Sequence, residues 1–144
     1  MKFCICSYIS SISVNYSFLK PLNPVLGETF SAIFDDGTTL FAEMTSHHPP
    51  ISNYMIYGPA EIYKFYGYTE IASSASLNKI HITYTGKRHI IFLDGTEIIH
   101  NTPDDWYTSA FVGTLKNQVI GSIIFSDKKN KIEAKITMAE VEKK

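Results

Sequence analysis

Residues 118–138 read QVIGSIIFSDKKNKIEAKITM, an apolar run, a polar break and then a regular alternation. In the last segment Ile132, Ala134, Ile136 and Met138 alternate with Lys131, Glu133, Lys135 and Thr137. Successive side chains on a strand point to opposite faces, so a period of two describes a strand with one wet face. The preceding QVIGSIIF is apolar at almost every position, and SDKKN supplies a polar turn. The pair reads as an antiparallel hairpin.

Two more hairpins lie upstream. ETFSAIFDDGTTLFAEM (28–44) turns at Asp36-Gly37, and RHIIFLDGTEIIHN (88–101) turns at Asp94-Gly95. Asp-Gly between apolar runs favours a tight turn, because glycine accepts the positive φ that such turns demand. Further strands are expected in NYMIYG (53–58), IYKFYGYTEI (62–71) and KIHITYTG (79–86). Nine Tyr, nine Phe and a single Trp, with many Ile and Thr, point the same way. Helix is confined to residues 5–18, with PVLGE (24–28) as a short turn and AEVEKK (139–144) as a charged tail or a helix start.

The 144 residues make one domain, and 44% hydrophobic against 19% charged content is that of a globular chain. A net charge of −1 provides no global field for nucleic acid, so any bound anion must meet local groups. Cys4 and Cys6 are too close in sequence for easy disulfide geometry, and no second pair completes a zinc site. Reduced thiols in a cytoplasmic protein are the expectation, with no cofactor and no metal. The start, MKFCICSYISSISV, places one lysine before a moderately apolar run, as a signal peptide does. Four serines interrupt it, and it falls short of the ~18 apolar residues of a membrane helix. It reads as a buried element opening a fold, or as an edge left by truncation.

Two stretches carry chemistry. In KPLNPVLGETF (20–30), Pro21 and Pro24 bracket Leu22 and Asn23, so a restricted loop presents Lys20, the Asn23 amide and free N–H groups. Gly27 permits the bend into the next strand. In EMTSHHPPIS (43–52), His47 and His48 stand against Pro49-Pro50. In a tight hairpin topology, the loop before one strand and the loop after its partner share an end of the sheet. Lys20, Asn23, His47 and His48 can therefore converge. Adjacent strand residues point apart, so the two histidines are poorly placed to chelate one metal. Kinked by the prolines, they can grip different phosphate oxygens. His81, His89 and His100 have no partner pattern and read as structural. A hydrolytic site from histidines with Asp104, Asp105 or Ser46 lacks a nucleophile elbow and a Gly-rich phosphate loop, and no enzyme is expected.

Both motifs resemble those of the oxysterol-binding protein family, whose signatures are close to K-P-F-N-P-L-L-G-E-T-F and E-Q-x-S-H-H-P-P-I-S. The likeness covers about residues 7–138 and weakens after residue 70; Met44 and Asn53 stand where the family pattern has Gln and Ala. The resemblance implies a mostly β fold, an antiparallel β-barrel around a lipid-sized tunnel. It implies lipid binding and intermembrane transfer of a sterol or phosphatidylserine, exchanged for phosphatidylinositol 4-phosphate. By motif position, Lys20, Asn23, His47 and His48 would contact the phosphoinositide headgroup, with a backbone donor near Leu22. The implied setting is cytoplasmic and peripheral, with transient contact at membrane surfaces.

The family domain is more than twice as long, so residues 1–144 are expected to be a partial domain, a half-barrel with little helix near the N-terminus. The family's lid and its further basic residues are not matched, and Lys143 and Lys144 do not stand in for the latter. A half-barrel would expose apolar wall and two strand edges, inviting self-association. A truncated β-scaffold or a lipid-sensing fragment is the alternative reading.

Overall fold

The computed structural model describes residues 1–12 and 24–138. Helix α1 (Lys2–Ile12) precedes β1 (Thr29–Ile33), β2 (Thr39–His47), β3 (Pro50–Tyr57) and β4 (Tyr63–Ser76). Then come β5 (Lys79–Thr85), β6 (Arg88–Phe92), β7 (Glu97–His100), β8 (Asp104–Thr108), β9 (Lys116–Asp127) and β10 (Ile132–Met138). The three expected hairpins form as β1–β2, β6–β7 and β9–β10. The helix expected at 5–18 begins earlier, at Lys2; residues 13–18, like the tail 139–144, lie outside the described residues. PVLGE forms its turn, with Glu28 N–H donating to Val25 O at 3.2 Å.

The pairings reduce to a meander. β5 and β6 lie along β4 in one register, from Ser76↔Lys79 to Tyr63↔Phe92. β8 and β7 likewise follow one another along β9. Each couple is one long strand broken in the middle, so every strand neighbours its predecessor in sequence. Among the described residues, β1 and β10 are the two edges.

The breaks line up. From His100 to Asp104 is four steps, but the partners on β9 run five, from Phe125 to Ile120. From His100 to Asp105 is five steps, while the partners run six, from Arg88 to Ile82. The extra residue falls near Gly121 (φ 93°) on β9 and near Gly86 (φ 104°) between β5 and β6. An unpaired residue of this kind bends a strand, and glycine accepts the positive φ without strain. At Gly86 a Cβ would strike the Tyr68 carbonyl oxygen. On the strand between, Asn101 fills the gap: its amide donates to Ser122 O at 2.9 Å and accepts from Ile124 N at 2.7 Å. Aligned bulges crease the sheet and give it an inner face.

Helix α1 covers part of that face. Met1, Cys4, Ile5, Tyr8 and Ile12 recur at helical spacing and pack on Ile98, Val119, Ile123 and Phe125. Ile123 and Phe125 are 0% exposed. Arg88 ties helix to sheet, donating from Nε to Tyr54 Oη and from Nη1 to Tyr8 Oη, both at 2.9 Å. His100 lies between the Tyr8 and Phe125 rings, 4.6 and 4.7 Å away, and its Nδ1–H donates to Asn101 O at 3.1 Å.

Two outcomes follow from this packing. Phe125→Ala removes the centre of the core, and a urea titration should show a loss of about 3–5 kcal/mol. Burial holds the His100 imidazole down from 6.5 to about 4, against the opposing pull of the Asn101 carbonyl. The unfolded chain therefore binds the proton first, and stability falls as pH drops from 6.5 to 4. The full loss is about 3 kcal/mol. Urea midpoints across that range should decline more steeply for the wild type than for His100→Phe; equal slopes would remove His100 from the account.

Candidate functional site

Residues 24–30 of the first motif run beside the second. Gly27 N–H donates to Met44 O at 3.2 Å, and the first ladder pair is Thr29↔Glu43, joined also through Thr29 Oγ1 and Glu43 Oε2 at 3.3 Å. Beyond it, His47 Nε2 lies 3.1 Å from the carbonyl oxygen of Pro24, the last residue of the KPLNP loop. A carbonyl only accepts, so Nε2 carries the hydrogen. Nδ1 is then an acceptor in the neutral ring and a second donor in the imidazolium. His48 lies in the turn after β2 and is exposed. Lys20, Leu22 and Asn23 lie outside the described residues.

A bulge decides where His47 faces. Met44 pairs with Ser52 but Ser46 pairs with Ile51, which leaves Thr45 as an extra residue. His47 consequently opposes Pro50, two residues from Ser52, and takes the side of the sheet that Met44 takes. In unbroken alternation it would share a side with Phe41 and Glu43. Asn53 holds the bulge, its Nδ2 donating to Thr45 Oγ1 at 2.8 Å.

On the inner face, Ser52 and Thr69 stand beside Met44 nearest the turn and Tyr54 and Gly67 beside Ala42, while an apolar strip runs along β2 and across the far row. Following the register from Met44, it carries Ala42 and Leu40 on β2, Ile56 on β3 and Phe65 on β4. Farther across, a polar group interrupts it. Asp105, 1% exposed, accepts from Tyr84 Oη at 2.8 Å and from Asn117 Nδ2 at 3.2 Å. Burial first, then the adjacent carboxylate, pushes the Tyr84 phenol well above its ordinary range.

Residues weighed for hydrolysis do not assemble. Asp104, next to Asp105 on β8, points to the other side and meets His81 Nε2 at 3.1 Å. Ser46 stands on β2, with β3, β4 and β5 between it and β8. His89 is engaged by Glu97 at 2.8 Å. Among the described residues no group of three or more His, Cys, Asp or Glu side chains is placed to hold a metal ion. No helix among them is long and apolar enough to cross a membrane.

Comparison with known proteins agrees with the fold and with the family resemblance. The family model described as oxysterol-binding protein matches residues 1–143. Oxysterol-binding protein 9 of Dictyostelium discoideum is 32% identical over 94% of this chain and 32% of its own length. Protein kes1 of Schizosaccharomyces pombe is 31% identical over 84% of this chain and 37% of its own. The chain thus spans about a third of the relatives it matches. Among solved structures, the Osh3 ORD of Saccharomyces cerevisiae in complex with PI(4)P has a TM-score of 0.68 at 21% identity, covering 76% of this chain and 30% of that one. The Osh1 ORD domain in complex with ergosterol has a TM-score of 0.70 at 22% identity, covering 85% and 32%. The described meander therefore corresponds to part of those larger folds, a mostly antiparallel β structure with one short helix. On the family model and the identities together, this chain belongs to the oxysterol-binding protein family.

Proposed function

We propose that the chain is the headgroup-holding part of a lipid-binding and lipid-transfer domain. Phosphatidylinositol 4-phosphate is held between the KPLNP and SHHPP segments, and a sterol or phosphatidylserine is exchanged for it. Lys20, Asn23, His47 and His48 meet the headgroup, with a backbone donor near Leu22. The observation that supports this reading most is the contact of His47 with Pro24 O, which brings the end of one motif to the other. The complexes of related folds with PI(4)P, cholesterol and ergosterol support the ligand class.

The chemistry suits the ligand. A monoester and a diester together carry about −3 when fully ionised. Lysine contributes a permanent charge, asparagine directional donors, and histidine a charge it can gain beside phosphate. The apolar strip from Met44 to Phe65 offers a wall for the lipid body. A cytoplasmic protein acting peripherally at membrane contact sites fits this reading, with transient contact at the bilayer.

A second reading, that of an interaction fragment, is favoured by the β1 edge. Its residues Thr29–Ile33 carry no charge, and Phe30, Ile33, Phe34 and Phe41 are exposed around it. The β10 edge carries Glu133 and Lys135 instead. An uncharged edge recruits another strand, so the two readings coexist if self-association completes the wall.

His48→Ala should reduce extraction of phosphatidylinositol 4-phosphate from liposomes at least about tenfold, the worth of one charge-assisted hydrogen bond. Joint substitution of His47 and His48 by alanine should abolish it, with the β signal in circular dichroism retained and no inorganic phosphate released by either protein. Undiminished extraction by the double variant would falsify the assignment.

A further inference from the structure

Leu77, at the tip of the β4–β5 hairpin, is 97% exposed and sits at φ 50°. Positive φ is strained for leucine and normal for glycine or asparagine, so turn formation does not explain an apolar side chain there. Opposite it, the β8–β9 loop exposes Phe111 (65%) and Val112 (76%). One side chain joins the two tips. Asn78 Oδ1 accepts from Phe111 N at 2.7 Å and Val112 N at 3.0 Å, and its Nδ2 donates to Val112 O at 2.7 Å. Ala110 N–H donates to the Asn78 carbonyl at 3.2 Å.

The tip is thus an apolar point at which the Ala110, Phe111 and Val112 N–H groups and the Val112 carbonyl are paired, which lowers the cost of leaving water. Behind it, Lys79 and Lys116 flank Thr108 on successive strands. Lys79 is steadied over the Trp106 ring at 5.6 Å. Residues 71–79 and 106–116 contain no Asp or Glu. The tip at the opposite end differs, since exposed Leu93 is followed directly by Asp94. The Leu77 tip also lies at the end of the sheet that carries the His47–Pro50 turn: Ile51 pairs with Glu70, and β4 runs on from there to Ser76.

We propose that the joined tips enter the headgroup layer of an anionic lipid bilayer, Leu77, Phe111 and Val112 inserting while Lys79 and Lys116 pair with lipid phosphates or carboxylates. This rests on the lipid-binding reading above and adds the element by which the chain meets its membrane. A bilayer suits a projecting point with cations behind it, because apolar side chains partition into the interface and each lysine gains from the negative surface. A protein partner would need a socket and acidic groups.

The test is co-sedimentation of the full chain with phosphatidylcholine vesicles, with and without phosphatidylserine and free of phosphoinositide. The wild type should bind the phosphatidylserine vesicles. Leu77→Ser/Phe111→Ser/Val112→Ser should weaken that binding at least about tenfold. Lys79→Gln/Lys116→Gln should cost about tenfold or more on phosphatidylserine and little on phosphatidylcholine alone, at about fivefold per lysine. A single Phe111→Trp variant, which leaves every tip bond in place, should show blue-shifted emission on adding the same vesicles.

Wild-type binding by the triple variant, absence of any binding by the wild type, or no blue shift in Phe111→Trp overturns the proposal. So does light scattering showing a lipid-free dimer that the triple variant abolishes, since the tip would then serve a second copy. Titration with a soluble short-chain phosphatidylinositol 4-phosphate separates the two readings. Its failure to bind would remove the headgroup site while vesicle binding through the tip stands; unchanged soluble binding by the triple variant alongside lost vesicle binding supports the tip.

Discussion

The antiparallel register that runs from Thr29↔Glu43 at one edge to Ile132↔Asp127 near the other decides which side chains look inward, and every property of the molecule depends on it. A slip of one residue would exchange the faces of a strand. The chain places such single-residue shifts at a few positions, Thr45 on β2, Gly86 between β5 and β6, and Gly121 on β9. Gly86 and Gly121 crease the sheet so that α1 can seat against Ile98, Ile123 and Phe125. Thr45 turns His47 to the side of the apolar strip and toward Pro24.

On the proposed function, one geometry serves two tasks. A lipid needs an apolar wall for its body and a polar clamp for its head, and the two must meet at one end of the sheet. The strip on β2–β4 leads up to the turn that holds His47 and His48, and Pro24 arrives there because it precedes β1. The polar residues away from this end are committed elsewhere. Asp105 is buried under Tyr84 and Asn117, Asp104 is paired with His81, and Glu97 with His89. Among the described residues these groups sit on β7 and β8 and on both faces, each bonded to a neighbour.

Much of the fold was legible because its signals are local. The alternation in 131–138 and the Asp-Gly turns at 36–37 and 94–95 are fixed by residues within a few positions of one another, and they formed as expected. β8 was missed: DDWYT opens with two acids, one of which is buried, although Trp-Tyr-Thr is favourable strand composition. The bulges were illegible because an extra residue exists only relative to a partner strand; Gly86 and Gly121 hinted at them, and Thr45 did not. The side taken by His47 was hidden for that reason. That the end of KPLNP lies beside the SHHPP turn was readable from chain order, but the contact, imidazole to the Pro24 carbonyl, was not. The Leu77 tip escaped notice because Asn78 and Phe111 are far apart in sequence.

The central claim is that the SHHPP turn beside Pro24 holds a phosphorylated headgroup. Histidine ring resonances, followed by NMR during titration with a soluble short-chain phosphatidylinositol 4-phosphate, test it most directly. The account predicts that the His47 and His48 rings shift in a saturable manner while the His81 and His100 rings stay in place. Saturable binding that leaves His47 and His48 unmoved would contradict it.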